Sequence, residues 1–156
     1  MLKPRLQIAK VMGVHFTINT EPVGQGRPRF TKAGHVYTPT KTRNFHALVK
    51  LAAQAAIKAQ TSDGAALDGP VELTLSVYLS IPRSKPKKWQ QEARSGYRWP
   101  TTKPDLSNVL KAIEDGLNAT AIIDDKQIVR LHVSKHYADS PRIEVVITPC
   151  GYSKMP

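Results

Sequence analysis

Apolar and polar residues alternate along this chain in two rhythms, and the rhythm predicts the elements. Val71, Leu73, Leu75, Val77, Leu79 and Ile81 alternate with Glu72, Thr74, Ser76, Tyr78 and Ser80. A two-residue period puts the apolar side chains on one face of an extended segment, so residues 71–81 are predicted as the central strand. Val14, Phe16 and Ile18 repeat the rhythm more briefly and predict a first strand. From about Thr40 to Gln60 the rhythm changes. Phe45, Leu48, Leu51, Ala52, Ala55 and Ala56 recur at helical spacing and predict a first helix. A second amphipathic helix is predicted from about Leu106 to Asn118, with Leu106, Val109, Leu110, Ile113 and Leu117 on its apolar face. Asp105, directly after Pro104, is placed to cap it.

Two last strands are expected near Ile128 to Tyr137 and Arg142 to Thr148, joined by the turn-like ADSP. The proline-punctuated stretch from Pro82 to Pro104 reads as loop, with Ser84 able to cap a short helix starting near Pro86. The order β-α-β-(short α)-α-β-β predicts an α+β domain: a single mixed β-sheet with helices packed against it. A chain of 156 residues suits one domain spanning 1–156, with 1–13 and 150–156 as peripheral tails.

Charge changes the picture. Twenty-three Lys and Arg oppose twelve Asp and Glu, giving a formal charge of +11. Such a field attracts polyanions, and neutralising phosphates would supply salt-sensitive affinity. Nucleic acid is the leading partner; anionic lipid is disfavoured because no long amphipathic basic helix is present. Lys3, Arg5 and Lys10 interrupt the amino-terminal apolar residues, so neither a signal peptide nor a membrane span is expected and the location should be cytoplasmic. Cys150 is the only cysteine, which excludes a disulfide or a thiolate-rich zinc site within one chain. His132 and His136 share a strand face but lack a third zinc ligand at usable spacing.

Against that basic background, five carboxylates fall in the twenty-one positions from Asp105 to Asp125. Clustered carboxylates repel unless a cation sits among them. Ser107, Lys111, Glu114, Asp115 and Asn118 form a polar stripe on the second helix, while Asp124 and Asp125 immediately precede a strand. Glu114 and Asp115 have a plain alternative as a solvated helix face, Asp105 as a cap, and Asp124 with Asp125 as a turn. Their joint occurrence in a phosphate-seeking chain shifts the balance for Asp105 and Asp125. Hard carboxylate oxygens suit Mg²⁺, which supports phosphodiester hydrolysis.

The segments KPDLSNVLKAIEDGLN and IIDDKQIV closely resemble the RusA-type family of Holliday junction resolvases, and GQGRPRFTKAGHVYTP resembles a basic loop of that family. The resemblance runs from about Phe16 to Thr148 and is most specific between Lys103 and Val129. It implies a homodimeric nuclease of bacteria, phages or prophages that binds four-way DNA junctions and nicks strands symmetrically in recombination and repair. Mg²⁺ would be its metal, with Mn²⁺ as a substitute, and no small-molecule cofactor is implied. The resemblance assigns metal binding to Asp105 and Asp125 and catalytic assistance to Lys111. Asn108 would orient an acid or a water, and Asp124 would support its neighbour. Ser107 stands where the family usually has a second aspartate. A hydroxyl is a weaker, neutral ligand. Three consequences stay open: Asp124, Glu114 or Asp115 substitutes, one ion binds more weakly, or junctions are bound but poorly cut.

For Lys111 the plain alternative is an i,i+4 helix pair with Asp115. The loop from Gly24 to Arg43 interleaves Arg27, Arg29, Lys32, Lys41 and Arg43 with Phe30, His35 and Tyr37. Basic groups there would contact phosphates and rings would stack on bases, Tyr37 among them. The run from Arg83 to Arg98, with Lys85, Lys87, Lys88 and Trp89, is a second candidate for that surface; Trp89 and Trp99 serve equally well as packing anchors. Two other functions remain: a non-catalytic junction-binding protein weakened at Ser107 and, favoured by charge alone, an RNA-binding protein.

Overall fold

The computed structural model describes residues 13–151, so the expected tails lie almost wholly outside the described residues. The described residues form six strands and three helices: β1 Val14–Ile18, β2 Arg29–Phe30, β3 Val36–Tyr37, α1 Thr40–Gln60, β4 Val71–Ser80, α2 Lys87–Arg94, α3 Leu106–Leu117, β5 Ile128–Ala138 and β6 Arg142–Pro149. A single 3-10 turn, Asp125–Gln127, precedes β5. β2 and β3 form a small separate hairpin that alternation could not reveal, since each strand has two residues.

The main sheet is mixed, in the order β1-β6-β4-β5. β4 is an interior strand, parallel to β5 and antiparallel to β6. Its alternation is realised: Val71, Leu73, Leu75, Val77 and Leu79 are buried, while Glu72, Thr74, Ser76 and Tyr78 are half-buried on the opposite face. The link between β5 and β6 is not a hairpin. Ala138 pairs with Ser80 on one side of β4 and Arg142 pairs with Tyr78 on the other, so the link passes over the end of β4.

α1 and α3 share one buried cluster with the sheet, including Phe45, Val49, Leu73, Leu75, Ile113 and Ile147. The second helix's predicted face holds: Val109, Ile113 and Leu117 are buried and Leu106 and Leu110 pack at the edge. The first helix corrects the expectation. Its buried stripe is Thr42, Phe45, Val49, Ala53, Ala56 and Ile57, whereas Leu48 and Leu51 are exposed and Ala55 with them. Alanine and leucine occur nearly all round this helix, so spacing alone did not single out the inward face. α1 and α3 approach closely at Gly116, where a Cβ would fall inside the Val49 side chain. Ser84 does not cap α2; Pro86 occupies the N-cap position without a side-chain hydrogen bond.

Candidate active site

Asp105 sits at the N-cap of α3 with extended backbone dihedrals (φ −67°, ψ 136°), yet its carboxylate makes no capping hydrogen bond. An N-cap aspartate normally accepts from the first-turn amides. Here the nearest polar partner is the Asn108 amide, with Nδ2 3.5 Å from Oδ2, and Asp105 remains exposed. The capping role expected from sequence is thus occupied in position but not in chemistry, which leaves the carboxylate available.

The segment leading into Asp105 is pinned from β5. Lys135 Nζ donates to the carbonyls of Thr102 (2.7 Å) and Pro104 (3.1 Å). The basic loop docks on the same place: the Gln25 backbone N–H donates to the Asn108 carbonyl at 2.9 Å, and Gln25 Oε1 lies 2.9 Å from His46 Nε2. Gly24 permits that approach, because a Cβ there would sit 3.2 Å from Asn108 Cβ and 3.3 Å from Pro104 Cβ. As a result Arg27, Lys103, Asp105 and Asn108 line one open cavity of about 420 Å³. A neighbouring cleft of about 560 Å³ is lined by Arg29, Lys41 and Lys103.

The second acidic segment is organised by Gln127. Its Oε1 accepts from the backbone N–H of Ile123 (2.8 Å) and Asp124 (2.9 Å), while Nε2 donates to the carbonyls of Leu67 and Gly69 at 2.9 Å each. Asp124 completes a capping box by accepting from the Lys126 N–H at 2.9 Å, and that hydrogen bond holds its carboxyl below the usual range. The turn bearing Asp125 is therefore tied to the chain just before β4.

Asp125 and the middle of α3 share one electrostatic neighbourhood. Lys111 Nζ lies 3.3 Å from Asp115 Oδ1, and its pKa is raised first by Asp115, with Asp125 and Glu114 adding to the effect. Glu114 is pushed up by burial and then by the charge of Asp125. Glu114 and Asp115 are half-buried rather than a fully solvated stripe, and the Oδ1 of Asn118 is buried with no hydrogen-bond partner among the described residues. Asp105 lies six residues before Lys111, a rise of about 9 Å along the helix. The charges acting on Lys111 are those of Asp115, Asp125 and Glu114. Among the described residues, no three Asp, Glu, His or Cys side chains gather closely enough to cage an ion. Ser107 is exposed on the first turn of α3.

The other basic residues singled out from sequence fall outside the two cavities. Lys32 and Tyr37 are exposed on or beside the β2–β3 hairpin, and Arg43 is exposed early in α1, 3.5 Å from Thr40 Oγ1. Lys87 and Lys88 open α2 and are exposed. Sequence reasoning missed Lys103, Gln25, Lys135 and Gln127 as organising residues. Lys103, Gln127 and Gln25 at least stood inside the quoted segments, whereas nothing in the sequence marked Lys135.

The sequence pattern of the endodeoxyribonuclease RusA family matches residues 19–148. The chain belongs to the RusA family. An uncharacterized protein of Bacillus subtilis (strain 168), YqaN, is 39% identical over 139 residues, covering 86% of this chain and 94% of that protein. A crossover junction endodeoxyribonuclease, rusA, of Lactococcus phage r1t is 32% identical over 80 residues, covering 51% of this chain and 54% of the phage protein. The RusA match takes in β2 through nearly all of β6, and with them Asp105, Lys111 and Asp125.

Proposed function

We propose that this chain is a Mg²⁺-dependent endodeoxyribonuclease that nicks four-way DNA junctions as a homodimer, with Asp105, Lys111 and Asp125 at its reactive centre. The observation that carries the reading is Lys111 under the joint charge of Asp115, Asp125 and Glu114, on the helix whose start, Asp105 and Asn108, lines a cavity with Arg27 and Lys103. Family membership and the phage relative's printed activity support the same chemistry.

The donor set suits a hard cation. Mg²⁺ is commonly held by one or two carboxylates, with waters and substrate phosphates completing its shell, so a preformed three-ligand cage is not required. Burial and then the charge of Asp125 raise the cost of ionising Glu114, and a divalent ion would relieve that repulsion. Asp125 and Asp105 would hold the ion, with Asp124 and Ser107 at its margin. When bound, it supplies neutralisation of phosphodiester charge and a water activated for attack.

The chain's own groups account for the remainder. Arg27, Arg29, Lys41 and Lys103 grip phosphates and fix the register of the strand over α3. Lys111, kept protonated by Asp115, places a positive charge where phosphoryl oxygens gain negative charge in the transition state. Asn108 orients Asp105 through its amide. Lys135 positions the segment that leads into Asp105, and Gln127 positions the turn that bears Asp124 and Asp125. A two-fold dimer presents two such centres to a two-fold junction.

Incubating the chain with a mobile four-way junction and with linear duplex, with and without Mg²⁺, tests this. Paired nicks at the junction only when the ion is present are expected; no nicking under either condition would overturn it. Ser107 favours one second reading, a junction-binding protein that cleaves weakly, because the position supplies a neutral hydroxyl where the family usually has an acid. Tight junction binding without nicks at any Mg²⁺ or Mn²⁺ concentration would select it.

A further inference from the structure

Between α2 and α3 the chain folds a cluster of aromatic and cationic side chains that the proposed chemistry does not use. Lys85, Trp89, Tyr97, Arg98, Trp99 and Tyr137 line an open cavity of about 410 Å³. Trp89 is half-buried, with Tyr137 edge-on at 5.4 Å and the cations of Lys85 and Arg98 over its ring at 5.2 and 5.1 Å. Trp89 is therefore a packing anchor. Trp99 and Tyr97 are different: they are 64% and 82% exposed, an uncommon state for rings that bury large areas when packed.

Trp99 ends a column of planar groups. Arg142 lies over Tyr78 at 3.9 Å, Tyr78 stacks on His136 at 5.3 Å, and His136 meets Trp99 at 5.3 Å. The column holds Trp99 in place from below while most of the indole stays open. Arg98 is already paired with Glu92 at 2.6 Å, but Lys85 has no carboxylate partner among the described residues. An exposed, braced ring in the same cavity as an ammonium that has no carboxylate partner among the described residues suits a planar group attached to a phosphate.

The cavity is also close to Asp105. Thr102 forms part of its wall, and three residues span at most about 11 Å of extended chain. With one phosphate of a strand per about 3.4 Å of duplex axis, that is at most about three nucleotides. Lys135 pins Thr102 and Pro104 together, so the separation is set by the fold.

We propose that this cavity receives an unstacked DNA base from the strand bound over α3, with Trp99 and Tyr97 as stacking surface and Lys85 on the adjoining phosphate. The proposal names a subsite for the substrate and rests on the DNA-cleaving function proposed above. Such a site engages a strand whose bases are free to leave the stack, as at a branch point, and leaves intact duplex unengaged.

The chain's two tryptophans both border this cavity, so intrinsic fluorescence reports on it. The full chain is titrated with a short single-stranded DNA and with an abasic strand of equal length and charge. The base-bearing strand is expected to quench the fluorescence and bind about tenfold more tightly, the scale of one base–aromatic stack. Trp99→Leu should abolish that difference and Trp99→Phe should restore it; thermal melts confirm folding, since Trp99 is exposed. Equal quenching and affinity for the two strands, or a Trp99→Leu variant that still separates them, would overturn the proposal. Junction nicking measured in parallel keeps the two ideas apart. Nicking without base-dependent quenching removes the subsite alone, and quenching without nicking removes the nuclease function alone.

Discussion

Lys111 has an ordinary structural role and a proposed chemical one, and their sizes differ enough to separate them. Its pair with Asp115 is an exposed i,i+4 contact, worth a few tenths of a kcal/mol. Charge stabilisation in the transition state is worth about 100-fold or more in rate. Lys111→Ala should therefore lower junction nicking by at least about 100-fold while the melting temperature moves little; a large drop in melting temperature with nicking retained would assign it to the helix pair. Ser107→Asp should restore a carboxylate on the first turn of α3, so that nicking reaches half its maximum at lower Mg²⁺ than in the native chain. Equal Mg²⁺ dependence would show that the hydroxyl costs the site nothing. The motif residues were visible in the sequence because they lie close together along the chain. Gln127 stood among them, but its purpose was not legible: two of its partners, Leu67 and Gly69, lie some sixty residues upstream.

At the scale of elements, the site depends on how α3 and the 3-10 turn are held. Gly116 sits against Val49, so Gly116→Ala should separate α1 from α3 and cost about 1–3 kcal/mol, read as a lower denaturant midpoint. Glu114 links the same elements through charge. Its pKa in the folded chain is raised above the ordinary 4.5, chiefly by burial and then by Asp125. The fold thus favours its protonated form, and that stabilisation is full below the unfolded value and lost as pH rises through the folded one. In metal-free buffer, Glu114→Gln should remove this part of the stability decline above pH 4.5, as measured by melts at closely spaced pH values. β4 and α3 were legible because one face of each is buried and the other is polar, which imprints a period. α1 was legible as a helix but not in its orientation, since Leu48 and Leu51 are as apolar as the residues that turn inward. The β2–β3 hairpin was too short to carry any period.

For the whole molecule, the alternating elements led to the α+β class and the net charge to nucleic acid as partner, which the family resemblance narrowed to DNA, while pattern alone could not bring the basic loop onto α3. That docking uses the backbone hydrogen bond from Gln25 to Asn108, the contact of the Gln25 side chain with His46 and the absence of a side chain at Gly24. The central claim is that Asp105 and Asp125, separate in sequence, act as one unit on one ion beside the DNA backbone. Groups acting as a unit are strongly non-additive when removed. The direct measurement is Mg²⁺-dependent nicking of a four-way junction by Asp105→Asn, Asp125→Asn and the double variant. Each single change should abolish nicking by orders of magnitude with junction binding retained, and the double should be no worse than either. If Asp105→Asn nicks at the native rate, or the two losses multiply as independent effects, the shared site is contradicted.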